Sequence, residues 1–488
     1  MTTPTTKVSA DKYLVLLAWV AMLSILWIVQ ADPDLWGHLT FGGDLLREHH
    51  LSSSDPYSFT SDLPWVNHEW LAEVVMAALF RGAGTVGLFA LKFFVAGVVA
   101  TLLTWRLQRL PGIVQLLIIV VVMCAAVPIV TTVRPQLFSF ACAAIVAFLL
   151  TDEHRPRRLS WLPLVFIVWA NTHGGWLVGL GMVGCWCAFG LLNRATRTRA
   201  VAVGAAVLAA TLVTPYGIGL WTFLYSTVGL TRDIQEWQPL TKAALIDWTP
   251  WLFTVPAIGV VALYDTRRDL WRLLTMAGLA YASFRVVRLV PFFALVSAMY
   301  VVDPLVVALG SRVERWRLYA PSRIAAALTL VPSLALVGLA APSIVRNGSC
   351  IPVRGDWIPE PQTAAALQRA RPSGRMVTPF GWGQYAIWHF GPQLQISLDG
   401  RRETVYSANR TEEFLALAAG LPRSFSLLEQ LQPEYVWLPA EKTELEKRWL
   451  QEHGYRIDVD SGQAWIAVRA DLPRIARAPL PSPACFPG

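Results

Sequence analysis

The chain has 488 residues, of which 55% are hydrophobic and only 15% are charged. Soluble domains usually carry about a quarter charged residues, so the composition excludes an ordinary soluble protein and indicates a polytopic membrane protein. The net charge of +8 does not point to nucleic acid, because the basic residues stand in short clusters between apolar segments, which is typical of cytoplasmic loops.

The first predicted element is a membrane span over residues 13–30, which contains YLVLLAWVAMLSILWIV. Its length approaches the roughly 20 apolar residues that cross a bilayer. The segment lacks a small-residue cleavage site, so we predict a retained span rather than a removed signal peptide.

The basic clusters allow the whole chain to be threaded through the membrane with Lys7 and Lys12 in the cytoplasm. About eleven spans result when every basic cluster lies inside. They cover residues 13–30, 84–105, 112–130, 135–150, 160–173, 176–192, 200–214, 248–264, 270–284, 289–309 and 323–343. Because this number is odd, the segment after the last span is predicted to be extracytoplasmic. We expect a multi-pass protein of the cell (inner) membrane.

Residues 31–82 form the first predicted extracytoplasmic loop. The segments LWGHLTFGGDLLREH and NHEWLAEVVMAALF place apolar residues at helical spacing but are too charged to span, which is typical of helices in the interface plane. The segment between them, SSSDPYSFTSDLPW, contains Asp-Pro and Leu-Pro turn signals.

The loop opens with Asp32, Pro33 and Asp34, where the chain leaves the first span. Asp32 either caps the following helix, since Asp before Pro is a common helix start, or takes part in chemistry. Asp34 is either a solvated carboxylate or a general base that accepts a proton beside the phosphate of a lipid-linked donor. A divalent metal held by these carboxylates with His38 or His68 is a further alternative, although the sequence fixes no ligand set.

Arginines on other predicted outside segments are candidates for binding a donor phosphate. Arg134 precedes a span, and Arg285 and Arg288 belong to FRVVR at a span boundary. An arginine near the bilayer costs about 2.5–3.5 kcal/mol, which suggests an anionic partner. The alternatives are a helix start for Arg134 and side chains that extend to the interface for the other two.

Two further outside segments contribute candidates for a sugar pocket. His173 lies in NTHGGW, and Glu236 and Trp237 lie in IQEWQP. A sugar ring stacks well on a Trp face, so Glu236 and Trp237 are predicted to line a pocket. His173 either contacts a ligand or is a satisfied interface residue.

Residues 344–488 are polar and alternate between strand-like and helix-like segments, for example QLQISLD, AWIAVRA and TELEKRWLQEHG. This alternation predicts a small α/β domain, long enough to fold on its own core. We therefore divide the chain into a transmembrane domain, residues 1–343, and an extracytoplasmic domain, residues 344–488.

Two of the six cysteines, Cys350 and Cys485, bracket this predicted domain, and the other four lie in predicted spans. Extracytoplasmic compartments favour disulfides, so we predict a Cys350–Cys485 bridge. The alternative is two unpaired thiols, or one paired with another protein.

The first loop resembles that of the GT-C superfamily, polytopic glycosyltransferases that take sugars from polyprenyl-phosphate carriers. In that family the first span opens into a long loop with interfacial helices, and here DPDLWGHLTFGGDLLREH occupies this place. The resemblance implies that Asp34 is the catalytic base, with Asp32 in reserve. His68, in NHEWLAEVVMAALF, takes the place of the His in the family's His-Pro-Pro-Leu-like motif.

The likeness covers about residues 10–310 and departs from the family pattern at specific positions. Leu35 stands where an acidic residue often follows the base, and Glu69 and Trp70 replace the two prolines. The tail motifs GWGQYAIW and LDGRRE add no activity to this interpretation.

The sequence thus predicts a polytopic α-helical GT-C-like protein, an inverting glycosyltransferase with an extracytoplasmic α/β domain. Its predicted partners are the lipid bilayer, a polyprenyl-phosphate-linked sugar and an unknown acceptor, with no nucleic acid and no cofactor beyond the metal left open above. Arg134, Arg285 and Arg288 are assigned to the donor phosphate. The predicted acceptor or sugar pocket consists of His68, Glu69, His173, Glu236 and Trp237.

Two other functions compete with this prediction. A non-enzymatic carrier or flippase for a lipid or polysaccharide would need ionisable residues deep in several spans, whereas here they cluster at one face. An assembly protein would use the tail domain to bind partners.

Overall fold

The computed structural model describes residues 7–9, 11–151, 156–229, 235–265, 270–317, 319–348, 350–355, 357–421, 424–481 and 485–488. The chain divides into two units. Unit 1 comprises Met1–Val29 and Leu88–Ser349, and unit 2 comprises Gln30–Gly87 and Cys350–Gly488. The first loop thus belongs with the C-terminal region, which differs from the division at residues 343 and 344 expected from composition.

Helices make up most of the described chain. In order they are α1 (Asp11–Leu26), α2 (Leu35–Glu48), α3 (Trp70–Leu107), α4 (Gly112–Val130), α5 (Gln136–Thr151), α6 (Leu162–Thr172), α7 (Trp176–Leu192), α8 (Arg197–Ala210), α9 (Ile218–Val228), α10 (Leu245–Thr254), α11 (Pro256–Tyr264), α12 (Leu270–Arg285), α13 (Val290–Tyr300), α14 (Val302–Leu309), α15 (Arg312–Arg315), α16 (Ser322–Asn347), α17 (Pro361–Ala370), α18 (Gly383–Phe390), α19 (Ala408–Ala418), α20 (Ser424–Leu431) and α21 (Glu444–Glu452). Helix α3 is interrupted at Ala83 and Gly84, whose backbone angles are not helical.

Two sheets accompany these helices. The strands are β1 (Lys7–Ser9), β2 (Tyr319–Pro321), β3 (Gly374–Val377), β4 (Leu394–Ile396), β5 (Tyr435–Pro439), β6 (Tyr455–Asp460) and β7 (Ala464–Arg469). In unit 1, β1 pairs antiparallel with β2. In unit 2 the strand order is β4-β3-β5-β7-β6, with β3 parallel to β4 and β5, and β7 antiparallel to β5 and β6.

Helices lie over all the predicted spans, but their lengths differ from the prediction. Among the described residues, three helical segments are long and apolar enough to cross a membrane, namely Trp70–Leu107, Gly112–Val130 and Leu245–Tyr264. A fourth is the pair Val287–Tyr300 and Val302–Leu309, bent by 51°. Shorter apolar helical segments are Gln136–Thr151, Trp176–Leu192 and Thr329–Pro342, and the count of about eleven spans is not confirmed.

Helix α13 lies at the core of unit 1, because every one of its residues is buried. A helix that is apolar on all sides is expected in such a place, and α13 packs against α4, α5, α10 and α12. One buried cluster at this core contains Leu240, Val290 and Ala294, with Trp251 packed against it.

Basic residues from two predicted cytoplasmic clusters meet at one acidic side chain. The carboxylate of Asp303 lies 2.6 Å from Arg106, 3.0 Å from Arg109 and 3.8 Å from Arg272. Arg272 is in the first turn of α12, and Arg288 comes three residues after the last residue of this helix, Arg285. The two groups of arginines thus lie at opposite ends of α12.

The mixed sheet of unit 2 agrees with the α/β pattern predicted for the tail. Its inner strands β5 and β7 are buried on nearly every residue, whereas the edge strand β6 is mostly half-buried. Inner strands covered on both faces are expected to read as continuous apolar runs, and YVWLP and AWIAVR do so.

The first loop joins this sheet at its other edge. Ser58 forms a parallel bridge with Ile396 of β4, supported by hydrogen bonds from the Ile396 N–H to the Tyr57 carbonyl (2.9 Å) and from the Phe59 N–H to the Ile396 carbonyl (3.2 Å). Covering a strand edge in this way satisfies its free backbone groups. This pairing accounts for the place of the loop in unit 2.

The C-terminus is fixed to the same unit by a covalent bond. Cys350 and Cys485 form a disulfide, with their Cα atoms 5.0 Å apart. Around it, the Phe486 N–H donates to the Ile351 carbonyl (2.8 Å), and the Trp36 indole donates to the Pro487 carbonyl (2.7 Å). The last residues of the chain therefore pack against the start of α2.

We expect the disulfide to stabilise unit 2, because it closes a loop with a sequence separation of 135. The chain-entropy model gives about 4–5 kcal/mol for loops of this size. Cys350→Ser should therefore lower the unfolding temperature of the purified protein, measured by intrinsic fluorescence.

Cys185→Ser is the matched control, because Cys185 is a free thiol in α7. It should leave the unfolding temperature within about 1 °C of the original, since an isolated thiol behaves as a small apolar group. An unchanged unfolding temperature in Cys350→Ser would contradict a stabilising role of the bridge.

Candidate active site

The two aspartates that open the first loop have different surroundings. The Asp32 carboxylate is buried and accepts a hydrogen bond from the Asp34 backbone N–H at 3.0 Å. Asp34 occupies the cap position of α2, yet its side chain makes no capping hydrogen bond. Asp32 therefore fixes the turn into the helix, and the Asp34 carboxylate is not used to cap it.

The C-terminal region surrounds the Asp34 side chain closely. A Cβ atom built on Gly400 would lie 2.0 Å from Asp34 Oδ1 and 2.7 Å from Gln384 Nε2. A Cβ atom on Gly37 would lie 2.1 Å from Gln384 Oε1. A Cβ atom at either position would displace these side-chain ends, so α2, Gln384 and the LDGRRE segment are in direct contact around Asp34.

A second group of ionisable side chains follows one turn further along α2. His38 Nδ1 lies 3.0 Å from Glu73 Oε1, and the Asn67 amide donates to Glu73 Oε2 at 2.6 Å. His38 and Glu73 are both buried. Burial alone would lower the pKa of His38, but the hydrogen bond to Glu73 and the nearby charges of Glu73, Glu69 and Asp34 raise it to about 9.

The same group contains a possible set of metal ligands. One donor atom each of His38, Glu69 and Glu73 lies within 4.8 Å of the others. Imidazole nitrogen and carboxylate oxygen suit zinc and similar divalent cations, and Asn67 would orient Glu73 as an outer partner. A cation here would replace the proton of His38. This ligand set includes Glu69 and His38 but neither residue of the Asp-Pro-Asp turn.

A buried arginine joins the first loop to the tail. The Arg401 guanidinium lies 2.7 Å from a carboxylate oxygen of Asp55 and 2.7 Å from one of Asp399, and all three side chains are almost completely buried. Its charged group also lies over the rings of three aromatic residues, at 5.0–5.3 Å from Phe41, Tyr57 and Trp65. Burial lowers the pKa of Arg401, but the charges of Asp399 and Asp55 outweigh it and raise that pKa well above its usual range.

Unit 1 contains a separate polar cluster built from predicted site residues. The Arg288 guanidinium lies 2.7 Å from Glu236 and 3.3 Å from His173 Nε2, and 5.5 Å from the centre of the Trp237 ring. Arg134 lies 3.7 Å from the same carboxylate of Glu236. Four separate segments thus bring these five residues together.

Hydrogen bonds to the other ring nitrogen hold His173 in place. Its Nδ1 lies 2.7 Å from Ser139 Oγ and 3.0 Å from the Gly175 N–H. The Trp169 indole donates to the same Ser139 Oγ at 2.6 Å. Arg285, predicted for the donor phosphate, is exposed at the last turn of α12.

The predicted sugar pocket is divided between the two units. His68 and Glu69 belong to unit 2, where His68 Nε2 lies 3.7 Å from a Glu69 oxygen. His173, Glu236 and Trp237 belong to unit 1.

Sequence reasoning missed several side chains that the fold uses. Glu73 follows Glu69 at helical spacing in NHEWLAEV, and that spacing was the available signal. Asp55 and Gln384 gave no comparable signal, because Arg401 lies 346 residues after Asp55 and Gln384 is about as far along the chain from Asp34. Lys92, fully buried in α3, donates to the Ile28 carbonyl at 3.3 Å.

Comparison with known proteins gives similarity of fold without similarity of sequence. No protein-family model matches the chain, and no curated protein matches it. Solved structures do match. The apo oligosaccharyltransferase of Archaeoglobus fulgidus has a TM-score of 0.60 at 9% identity, with 88% of this chain and 69% of that chain covered.

Two further solved structures extend the comparison. The oligosaccharyltransferase AglB from Archaeoglobus fulgidus, in complex with an inhibitory peptide and a dolichol-phosphate, has a TM-score of 0.54 at 12% identity, covering 95% of this chain and 75% of that one. The arabinofuranosyltransferase AftD from Mycobacteria, in a mutant form, has a TM-score of 0.50 at 14% identity, with coverage of 95% and 42%. The resemblance to GT-C glycosyltransferases is thereby confirmed at the level of the fold.

Replacing the buried arginine tests its role in unit 2. We expect Arg401→Met to reduce the free energy of unfolding by about 3–5 kcal/mol, because it leaves two buried carboxylates without their cation. Chemical denaturation of the purified protein measures this loss.

Arg375→Met is the control, since Arg375 pairs with Glu434 at 3.3 Å in the same unit but its side chain is 42% exposed. Exposed pairs contribute about 0–1 kcal/mol. Equal losses of unfolding free energy in the two variants would contradict a larger contribution of the buried Arg401 network.

The raised pKa of His38 predicts a pH-dependent contribution to stability. Its folded-state pKa of about 9 exceeds the ordinary 6.5, so the stabilisation is complete below pH 6.5 and is lost as the pH rises through 9. His38→Gln should therefore unfold at a lower temperature than the unsubstituted protein at pH 6, with the difference shrinking toward pH 9.5.

These scans are made in buffer with EDTA to keep metal ions out, and His50→Gln, at an exposed position, is the control. A difference between His38→Gln and the unsubstituted protein that stays constant from pH 6 to 9.5 would contradict the assignment.

Proposed function

We propose that this chain is a membrane glycosyltransferase that takes a sugar from a polyprenyl-phosphate donor and transfers it, with inversion, to an extracytoplasmic acceptor. The proposal is carried by the Asp34 carboxylate, which lies at the start of α2 without making a capping hydrogen bond. The fold shared with an oligosaccharyltransferase and an arabinofuranosyltransferase supports it.

The proposed reaction is a single displacement at the anomeric carbon. Asp34 removes the proton of the acceptor nucleophile as a general base. The nucleophile forms its bond to the anomeric carbon while the bond from that carbon to the phosphate oxygen breaks. The electron pair leaves with the polyprenyl phosphate, a stable anion, so no strong general acid is needed.

We propose that the polar cluster of unit 1, built around Arg134, Glu236 and Arg288, binds the donor phosphate. Arg134 and Arg288 both lie close to one carboxylate, Glu236, so two guanidinium groups stand together in this cluster. Arginine binds phosphate oxygens through charged hydrogen bonds, and Trp237 offers a ring face next to Arg288. Arg285 is a weaker candidate, because it is exposed beyond this cluster.

The remaining predicted residues are proposed to be supporting polar groups of the site. His173 is held by Ser139 and Gly175 beside Arg288 and would help to bind the donor. His68 and Glu69 stand one helical turn from Glu73 and would contact the acceptor side. We place these groups outside the cytoplasmic membrane, following the threading of the basic clusters.

Substitution of the two aspartates tests the assignment of the base. We expect Asp34→Asn to reduce turnover about 10²–10⁴-fold, the usual contribution of general-base catalysis. Asp32→Asn should cost less, because the Asn oxygen still accepts the Asp34 N–H. The measurement follows radiolabelled sugar from polyprenyl-phosphate donors into membranes of the expressing cells.

Binding of the labelled donor serves as the control for folding in both variants. Near-normal transfer by Asp34→Asn would refute the assignment of the base. Movement of intact donor across the membrane, without cleavage of the sugar–phosphate bond, would instead identify a carrier.

A further inference from the structure

Gln384, in the tail motif GWGQYAIW, is buried beside Asp34. Its side chain is 3% exposed. Its Nε2 and Asp34 Oδ1 both lie within 3 Å of one point, the position that a Gly400 Cβ would occupy. The amide nitrogen of Gln384 thus faces the side of Asp34 that borders the tail.

The Gln384 amide is held in this place by close packing at three glycine positions. Gly37 on α2 contacts Gln384 Cδ and Oε1, and Gly400 borders Gln384 Nε2. Gly383, the residue before, approaches so closely that a Cβ atom would lie 2.1 Å from the Leu398 carbonyl oxygen. The helix start, GWGQYAIW and LDGRRE therefore fit together without space for another side chain.

The oxygen of the same amide differs from most buried oxygens in its hydrogen bonding. Gln384 Oε1 is buried and accepts no hydrogen bond from the described residues. Buried polar atoms of this kind are rare and call for an explanation. Turning the amide by 180° would bring its oxygen to the position of Nε2 beside Gly400, where the negative charge of Asp34 disfavours an oxygen.

We propose that Gln384 is a positioning residue for the Asp34 carboxylate, so that the motifs GWGQYAIW and LDGRRE complete the candidate active site. This inference rests on the proposed function for its catalytic consequence. Its structural content is the proposed pairing of Gln384 with Asp34, which can be tested independently of the reaction.

A neutral amide suits the task of holding a general base. An arginine or lysine in its place would stabilise the charged carboxylate strongly and reduce its basicity. An amide N–H orients the carboxylate with a smaller effect on its proton affinity. Misplacement of a reacting group by about 1 Å can cost about 100-fold in rate, so fixing the rotamer matters for turnover.

A double-mutant cycle on the full chain tests the pairing without any substrate. Unfolding temperatures are measured for Asp34→Asn, Gln384→Met and the double variant. We expect the effects to depart from additivity by about 1–3 °C, as is typical of contacting residues. Gln368→Met is the matched control, because Gln368 in the same unit donates to the Tyr385 hydroxyl at 2.8 Å and should be additive with Asp34→Asn.

Gln384→Glu provides a second variant in case the first fails to fold. A carboxylate next to Asp34 creates a like-charge pair, so this substitution should lower the unfolding temperature at pH 8. The loss should be smaller in the Asp34→Asn background. Additivity in both cycles would overturn the inference.

The catalytic consequence is measured with the labelled donor used for the aspartate variants. Gln384→Met should lower kcat about 10–100-fold and leave the donor KM within twofold. In the Asp34→Asn background it should cause no further loss, whereas a purely structural defect would. Gly400→Ala should act in the same direction, with Gly43→Ala as its control, because a Cβ on Gly43 meets nothing within 4 Å.

The unfolding measurements and the transfer kinetics together distinguish a failure of this inference from a failure of the proposed function. Coupled unfolding temperatures without transfer by any variant would support the pairing and refute the glycosyltransferase. Normal kcat in Gln384→Met, with transfer intact in the unsubstituted protein, would refute the positioning role.

Discussion

Unit 2 depends on one buried cation, the guanidinium of Arg401. It bonds to Asp55 in the first loop, 346 residues earlier, and to Asp399 in its own segment. A lone charge in this place would be very costly, but the paired carboxylates compensate it and the rings of Phe41, Tyr57 and Trp65 surround it. Breaking any one partner leaves an uncompensated charge, so the loop and the tail must be in place together.

The position of Asp34 follows from that constraint. Arg401 and Asp399 flank Gly400, and Gly400 is the residue that touches the Asp34 carboxylate. The disulfide and the Trp36–Pro487 hydrogen bond hold the start of α2 from the other side. A loop at a membrane boundary is ordinarily mobile. Here the loop acquires a second set of covalent and ionic contacts that hold the start of α2 in place.

The sequence predicted two kinds of feature: elements with a local apolar pattern, and the disulfide, which depends on an oxidising compartment. The strands of the tail follow from apolar runs such as YVWLP and AWIAVR, and the cysteine pair follows from its outside location. No local sequence pattern indicates that the first loop packs with the tail. The two contacts that join them, the Ser58–Ile396 bridge and the Asp55–Arg401 ion pair, connect residues more than 300 positions apart. The span count is not confirmed, because several apolar helices among the described residues are shorter than a span, for example Gln136–Thr151 and Trp176–Leu192.

The two candidate clusters carry different charged groups. In unit 1, Arg134 and Arg288 lie close to the Glu236 carboxylate. In unit 2, the charges of Asp34, Glu69 and Glu73 act on the His38 imidazole. A phosphate binds to cations, and a neutral nucleophile that must lose a proton needs a base. This difference is the reason for proposing the donor phosphate in unit 1 and the proton acceptor in unit 2.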